Sequence, residues 1–250
     1  MASKNVIINF KTSGVSGVNS ATAKIESGMG GLVAGAAAFP LAMRTASKAL
    51  ETINLAGRFE QWDIAFDVMI GKTKLAQQTV SELQQFAART PFEIPGIMDA
   101  SQHLMAAGVE AEDLIGTFKM LGDVASGVGV DKLPTIVSAF AKIKAKGIPT
   151  MRQLNQFTRA GVPIIRQLAL SLYGSADATD EVYYATKRGN ISFAQTVDAF
   201  RGMSREGGLF YQMMERQHNS YIGLVSDMHD KITLLRVSLG KMVLPLLKQF

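Results

Sequence analysis

The sequence predicts an all-α protein: a compact multi-helix domain, preceded by a short N-terminal strand or extended arm and followed by a long C-terminal exit helix. Three observations carry this expectation. Apolar residues recur at helical spacing through most of the chain after Leu41, corners bearing Gly or Pro separate the periodic stretches, and one stretch alone alternates as a strand does. About ten helices joined by short connectors are what a compact all-α domain uses.

The elements follow in order. Val6, Ile8 and Phe10 alternate with Ile7, Asn9 and Lys11, the period of a strand or extended arm. Ser and Gly fill residues 12–19 as a loop. An uncharged run from Ser27 to Met43, rich in Gly and Ala, lies between Glu26 and Arg44. A long helical pattern starts near Leu41 and carries Phe59, Trp62, Phe66, Met69 and Ile70 on one face, which points the tryptophan at a core, until Gly71 stops it. Lys74 to Arg89 is the next helix. Pro91 then drives the preceding residue out of the helical basin, Phe92 and Ile94 plug a short connector, and Pro95 opens a helix that ends at Gly108. This corner, Phe86 to Gly108, locks the order of two helices.

Ala111 to Ser126 has the clearest helical pattern, with Leu114, Ile115, Phe118, Leu121, Gly122 and Ala125 on two adjoining faces. Leu133, Ile136, Val137, Phe140 and Ile143 form another stripe, stopped by Gly147 and Pro149. Thr150 with Gln153 and Ser192 with Gln195 are capping boxes, in which each residue satisfies a backbone amide of the other. Between them lie helices ending at Gly161, Gly174 and Lys187. Gly207-Gly208 breaks the chain before a helical segment expected from Leu209 to Leu239. The organisation read from this pattern is an arm at 1–54, a compact domain at 55–208 and an exit helix at 209–250. Phe250 closes an apolar run, VLPLLKQF, so the natural chain is expected to continue.

Composition narrows the function. The 250 residues contain no cysteine, which removes disulfides, thiolate nucleophiles and zinc–thiolate sites and suits a reducing cytoplasm. The net charge of +5 allows an acidic partner without demanding nucleic acid. IGKTK at 70–74 ends like a phosphate loop, but Phe66 stands where that motif needs glycine, and SGVGV at 126–130 reads as a helix cap. No GxSxG elbow is present. His218 and His229, eleven residues apart, do not have the spacing that lets one helix hold a metal through two ligands, and His103 beside Leu104 is expected to be partly buried. Glu110, Glu112 and Asp113 suit a helix N-terminus without any catalytic role. The reading is therefore a non-enzyme with no catalytic, cofactor-binding or metal residues.

One asymmetry points to a partner. Between Asp131 and Leu170 lie Lys132, Lys142, Lys144, Lys146, Arg152, Arg159 and Arg166 against Asp131 alone. Lys142, Lys144, Lys146, Arg152, Arg159 and Arg166 are the candidate docking residues for an acidic partner, with a merely solvated face as the competing reading. Their spread over three helices argues against a nucleic-acid surface, which would crowd them onto one recognition helix.

Several runs together resemble the N-terminal domain of phage tail tape-measure proteins. They are GRFEQWDIAFDVMIG (57–71), TPF (90–92), GV (108–109), LGDVASG (121–127), KIKAKG (142–147), LNQF (154–157) with AGVPII (160–165), GNISF (189–193) and MSREGGLFYQMME (203–215). The resemblance implies a structural virion protein of the tail, occupying the tail lumen as a homo-oligomer and helping to set tail length. It implies as partners the tail tube protein, tail tip or baseplate proteins and tail assembly chaperones, and it implies assembly in the host bacterial cytoplasm. Some members take part in envelope passage, so membrane contact during infection follows as an alternative role, motivated by the run from Ser27 to Met43. A nucleic-acid-binding helical domain is the remaining alternative. Fully helical, 250 residues would span about 375 Å at 1.5 Å each. Pro and Gly corners fold that span back, so this part looks like a compact end of a tape measure, not the ruler.

Overall fold

The computed structural model describes residues 54–220, 232–233 and 235–237. The expected strand at 6–10, the uncharged run at 27–43 and His229 lie outside them. Among the described residues the chain is helical and contains no strand, as the periodicity predicted. The chain divides into two units, and residues 59–235 form the one that carries the described helices from Phe59 onward.

Residues 54–70 are helical (α1). Phe59, Trp62 and Phe66 are buried on one face, Phe59 and Trp62 meeting edge to face with centroids 5.0 Å apart. The stripe stops there: Met69, expected inward, is 41% exposed beside Ile64 and Val68. Helical spacing tells which side a residue faces but not how far along a helix its cover extends. Gly71 ends α1 at φ 68°, its amide donating to Asp67 O at 2.8 Å.

The predicted corner forms between α2 (Thr73–Ala87) and α3 (Ile94–Ala106), with Pro95 in the first turn of α3. Thr90 turns the chain by donating its hydroxyl to Ala87 O at 3.2 Å. Phe92 and Ile94 are both buried, so the plug is real. The indole N–H of Trp62 reaches Asp99 Oδ1 on α3 at 3.0 Å, which satisfies the polar edge of an otherwise buried ring.

The next element begins with a 3-10 turn, Ala111–Asp113, before α4 (Leu114–Val128). Leu114, Phe118, Met120, Leu121, Gly122, Val124, Ala125 and Ser126 are all buried, too many for one stripe, because α4 is covered on several sides. It packs against α2, against α5 (Leu133–Lys146), against α9 (Phe193–Ser204) and against α10 (Met213–His218). Around this axis lie α6 (Met151–Arg159), α7 (Ile164–Tyr173) and α8 (Thr179–Lys187), with α6 on α5, α9 on α7 and α8 on α7. A second core joins them. Phe140 of α5 stacks edge to face on Phe200 of α9 at 5.9 Å, and Phe200 on Phe157 of α6 at 5.0 Å.

Both capping residues predicted from sequence perform that role. Ser192 Oγ accepts from Gln195 N at 3.2 Å while Gln195 Oε1 accepts from Ser192 N at 2.8 Å. Gln153 Oε1 accepts from Thr150 N at 2.8 Å and from the Thr150 hydroxyl.

The segment after Gly208 departs from expectation. Residues 209–212 form turns in place of the first turn of a long helix, Gln212 sits in the left-handed region at φ 55°, and α10 spans only Met213–His218. The left-handed backbone at Gln212 cannot continue a right-handed helix, and the segment around it packs closely on α4. A Cβ at Gly122 of α4 would overlap Met214 Sδ and lie 3.1 Å from the Phe92 ring, and a Cβ at Gly127 would overlap the Phe210 ring. Phe210 and Met214 are both seated against glycines of α4 in this arrangement.

The two glycines differ in tolerance. Met214 is flexible and can shift, and alanine gains about 1 kcal/mol in helix propensity over glycine, so Gly122→Ala is expected to leave stability nearly unchanged. The Phe210 ring is rigid, so Gly127→Ala should destabilise by about 1–2 kcal/mol from overpacking. Phe118→Ala, which empties the centre of α4, should cost about 3–5 kcal/mol. Urea unfolding of the three variants checks the ranking.

Candidate docking surfaces

The six candidate docking cations fall into three environments. Lys142 lies one turn earlier, and Lys144 and Lys146 occupy the last turn of α5, before Gly147 closes it in the left-handed region at φ 81°. Cations there complement the negative end of the helix dipole, a stabilisation of about 0.3–1 kcal/mol at an exposed site. Lys144 is half-buried with its Nζ 5.1 Å from the Phe193 ring centroid, which ties it to α9. Arg166 on α7 lies 3.5 Å from Asp177, and with both groups largely exposed this pair contributes little.

Arg152 and Arg159 share a third environment. With Lys132, Thr135, Asn155, Gln156 and Ala160 they line an open cleft of about 560 Å³ between the start of α5 and the face of α6. Arg152, Asn155, Gln156 and Arg159 stand at i, i+3, i+4 and i+7, so α6 presents them on one side. Gln156 Nε2 donates to Thr135 O at 3.2 Å and pins α6 to the first turn of α5. Lys132 is engaged by Asp131 at 2.6 Å, and that contact holds the Asp131 carboxyl below its ordinary 3.8. The sequence did not single out Thr135, Asn155 and Gln156, because uncharged residues leave no charge asymmetry.

Asp123 organises the other notable polar site. From α4 its Oδ1 accepts the Met214 amide at 3.0 Å, so a carboxylate on one helix caps the N-terminus of α10, 91 residues along the chain. Burial is the largest influence on Asp123 and lifts its carboxyl above 3.8. The Met214 and Met213 amides oppose that lift, and Glu215 adds to it. Gln217 Nε2 contributes a long 3.5 Å contact to Ser126 O.

The histidines are separate. His103 is exposed, contrary to expectation, because the buried side of α3 is Ile97, Ala100, Ser101 and Leu104, and His103, one residue before Leu104, turns outward. His218 is half-buried at the end of α10. Among the described residues no group of three His, Cys, Asp or Glu is placed to hold a metal, and no described helix is long and apolar enough to cross a membrane.

A family model described as tape measure protein matches residues 50–240, a span that takes in every described helix. The chain belongs to the tape measure protein family. No curated protein and no solved structure matches it. Membership makes this tape measure chain a structural protein of the phage tail, a virion component whose partners are other tail components.

A carboxyl raised in the fold holds its proton more readily there than in the unfolded chain. It therefore favours the native state most in acid, and that contribution is lost as pH rises through the raised value. Asp123→Asn keeps an acceptor for Met214 without the charge, so at neutral pH it should hold α10 at least as firmly as the parent. Asp123→Ala leaves the amide without its cap and should weaken α10 docking by about 1 kcal/mol. Hydrogen exchange at the Met214 amide as a function of pH reads both outcomes.

Proposed function

We propose that residues 59–220 are a non-enzymatic assembly unit at one end of a tape measure. In this reading the protein assembles in the host cytoplasm with tail chaperones, enters the tail lumen as a homo-oligomer, and joins the tail tip or baseplate and the polymerising tube protein. The observation that supports it is the family match lying across a folded-back set of helices. Even α1, at residues 54–70, is about 25 Å long at 1.5 Å per residue, and corners such as that at 86–108 reverse the path. A ruler needs length proportional to residue number, and this unit does not have it. Its role is to start or anchor assembly, with tail length set by other parts of the same protein.

An insertion separates anchor from ruler. Ten residues placed in the exposed turn at 175–177 would lengthen a helical ruler by about 15 Å. The expected result, measured by electron microscopy of phage carrying the insertion, is an unchanged tail length. Deleting residues 59–220 should leave few or no tails of defined length. A tail that lengthens with the insertion, or normal tails after the deletion, would sink the proposal.

A further inference from the structure

We propose that the cleft between the start of α5 and α6 receives an acidic α-helix of a partner protein, with Arg152 and Arg159 each pairing a carboxylate one heptad apart. This deepens the assembly reading and rests on it, since it states the chemistry of one partner of the unit.

Several cations of the unit serve the fold. Lys144 and Lys146 serve the end of α5, Lys132 serves Asp131, Arg166 faces Asp177, Arg201 faces Asp198 at 3.4 Å, and Arg159 itself stands in the last turn of α6. Arg152 has no such role. It is the second residue of α6, in the first turn, where the helix dipole is positive and a cation is disfavoured. Among the described residues neither Arg152 nor Arg159 has a carboxylate within 4.0 Å. Both are exposed, and both line a concave site of about 560 Å³.

Geometry then selects the partner. Seven residues along α6 separate the backbone positions of the two arginines by about 10.5 Å along the axis and return to nearly the same side of the helix. A second helix laid along the cleft presents carboxylates at the same interval from positions i and i+7. Arginine suits the role because its planar fork pairs a carboxylate through two hydrogen bonds. Asn155 lies between the arginines and offers both a donor and an acceptor to the polar edge of the incoming helix. A nucleic-acid duplex fits less well. Its phosphates call for a continuous basic stripe, and the lysines toward the far end of α5 are about 15–21 Å of helix away from Lys132.

The test uses the full 250-residue chain and three fluorescein-labelled probes. One is a helical peptide with glutamates seven residues apart, one is a scrambled peptide of the same composition, and one is a DNA duplex. The expected result in fluorescence anisotropy is that the heptad peptide binds most tightly, with affinity falling as salt rises. The double variant Arg152→Glu/Arg159→Glu should weaken it by roughly 100-fold, about tenfold for each pair removed. Lys142→Glu/Lys146→Glu carries the same charge change and should weaken it by less than about threefold, as screened charges at a distance do. Helical circular dichroism confirms that each variant folds, and Arg152→Ala serves as a milder substitute. Equal binding of the two peptides, equal losses in the two double variants, or preferred binding of the duplex would each overturn the proposal. None of these outcomes bears on tail length after insertion or deletion, so failure here is distinguishable from failure of the assembly reading.

Discussion

Close approach to α4 is the constraint on which the rest of this unit depends. A helix covered by α2, α5, α9 and α10 cannot carry a large side chain at every position, because its neighbours would be held off and voids would open between them. Gly122 and Gly127 supply the two places where cover comes closest. At Gly122 the Phe92 ring arrives from the corner before α3, and Met214 arrives from the end of the unit. One missing Cβ thus joins segments that are distant in the chain. At Gly127 the Phe210 ring lies against the backbone, two residues before the left-handed bend at Gln212.

A second set of contacts holds α5, α6 and α9 by different means. Phe140, Phe157 and Phe200 meet edge to face, the arrangement in which the positive rim of one ring addresses the negative face of another. The capping residues Thr150 and Ser192 fix where α6 and α9 start, and so fix which faces of those helices turn inward. The start of α6 is also where Arg152 stands. Its place at the rim of the cleft is a by-product of a start site set by Thr150 and of burial at Leu154 and Phe157.

Charge in this unit divides between stabilising the helices and facing outward. Lysines gather at the end of α5, Asp131 holds Lys132, and Asp123 caps α10 from a half-buried position whose cost shows in its raised carboxyl. A carboxylate that burial pushes toward neutrality remains there because it satisfies an amide that would otherwise be buried without a partner. Arg152 has no such role, and it meets Arg159, the last residue of α6, at one cleft. For a tail structural protein, whose work is to hold partners in order, such leftovers are where partner contact is sought.

The sequence by itself determined the helices, their stops and their inward faces. Proline and glycine act within one or two residues, capping boxes within three, and apolar spacing within two turns, so all are readable along the chain. The corner at 86–108, Trp62 as a core residue and both capping boxes were legible for that reason, and so was family membership, which lies in the same ordered runs. Tertiary structure decided what depends on distant residues. It showed that the buried stripe of α1 ends at Phe66, that His103 faces outward, and that the segment after Gly208 bends to meet two glycines on α4. It also sorted six cations, equal in the sequence, into a helix end, an ion pair and a cleft. Charge can be counted along a chain, but whether a charge has a neighbour is a property of the packed fold.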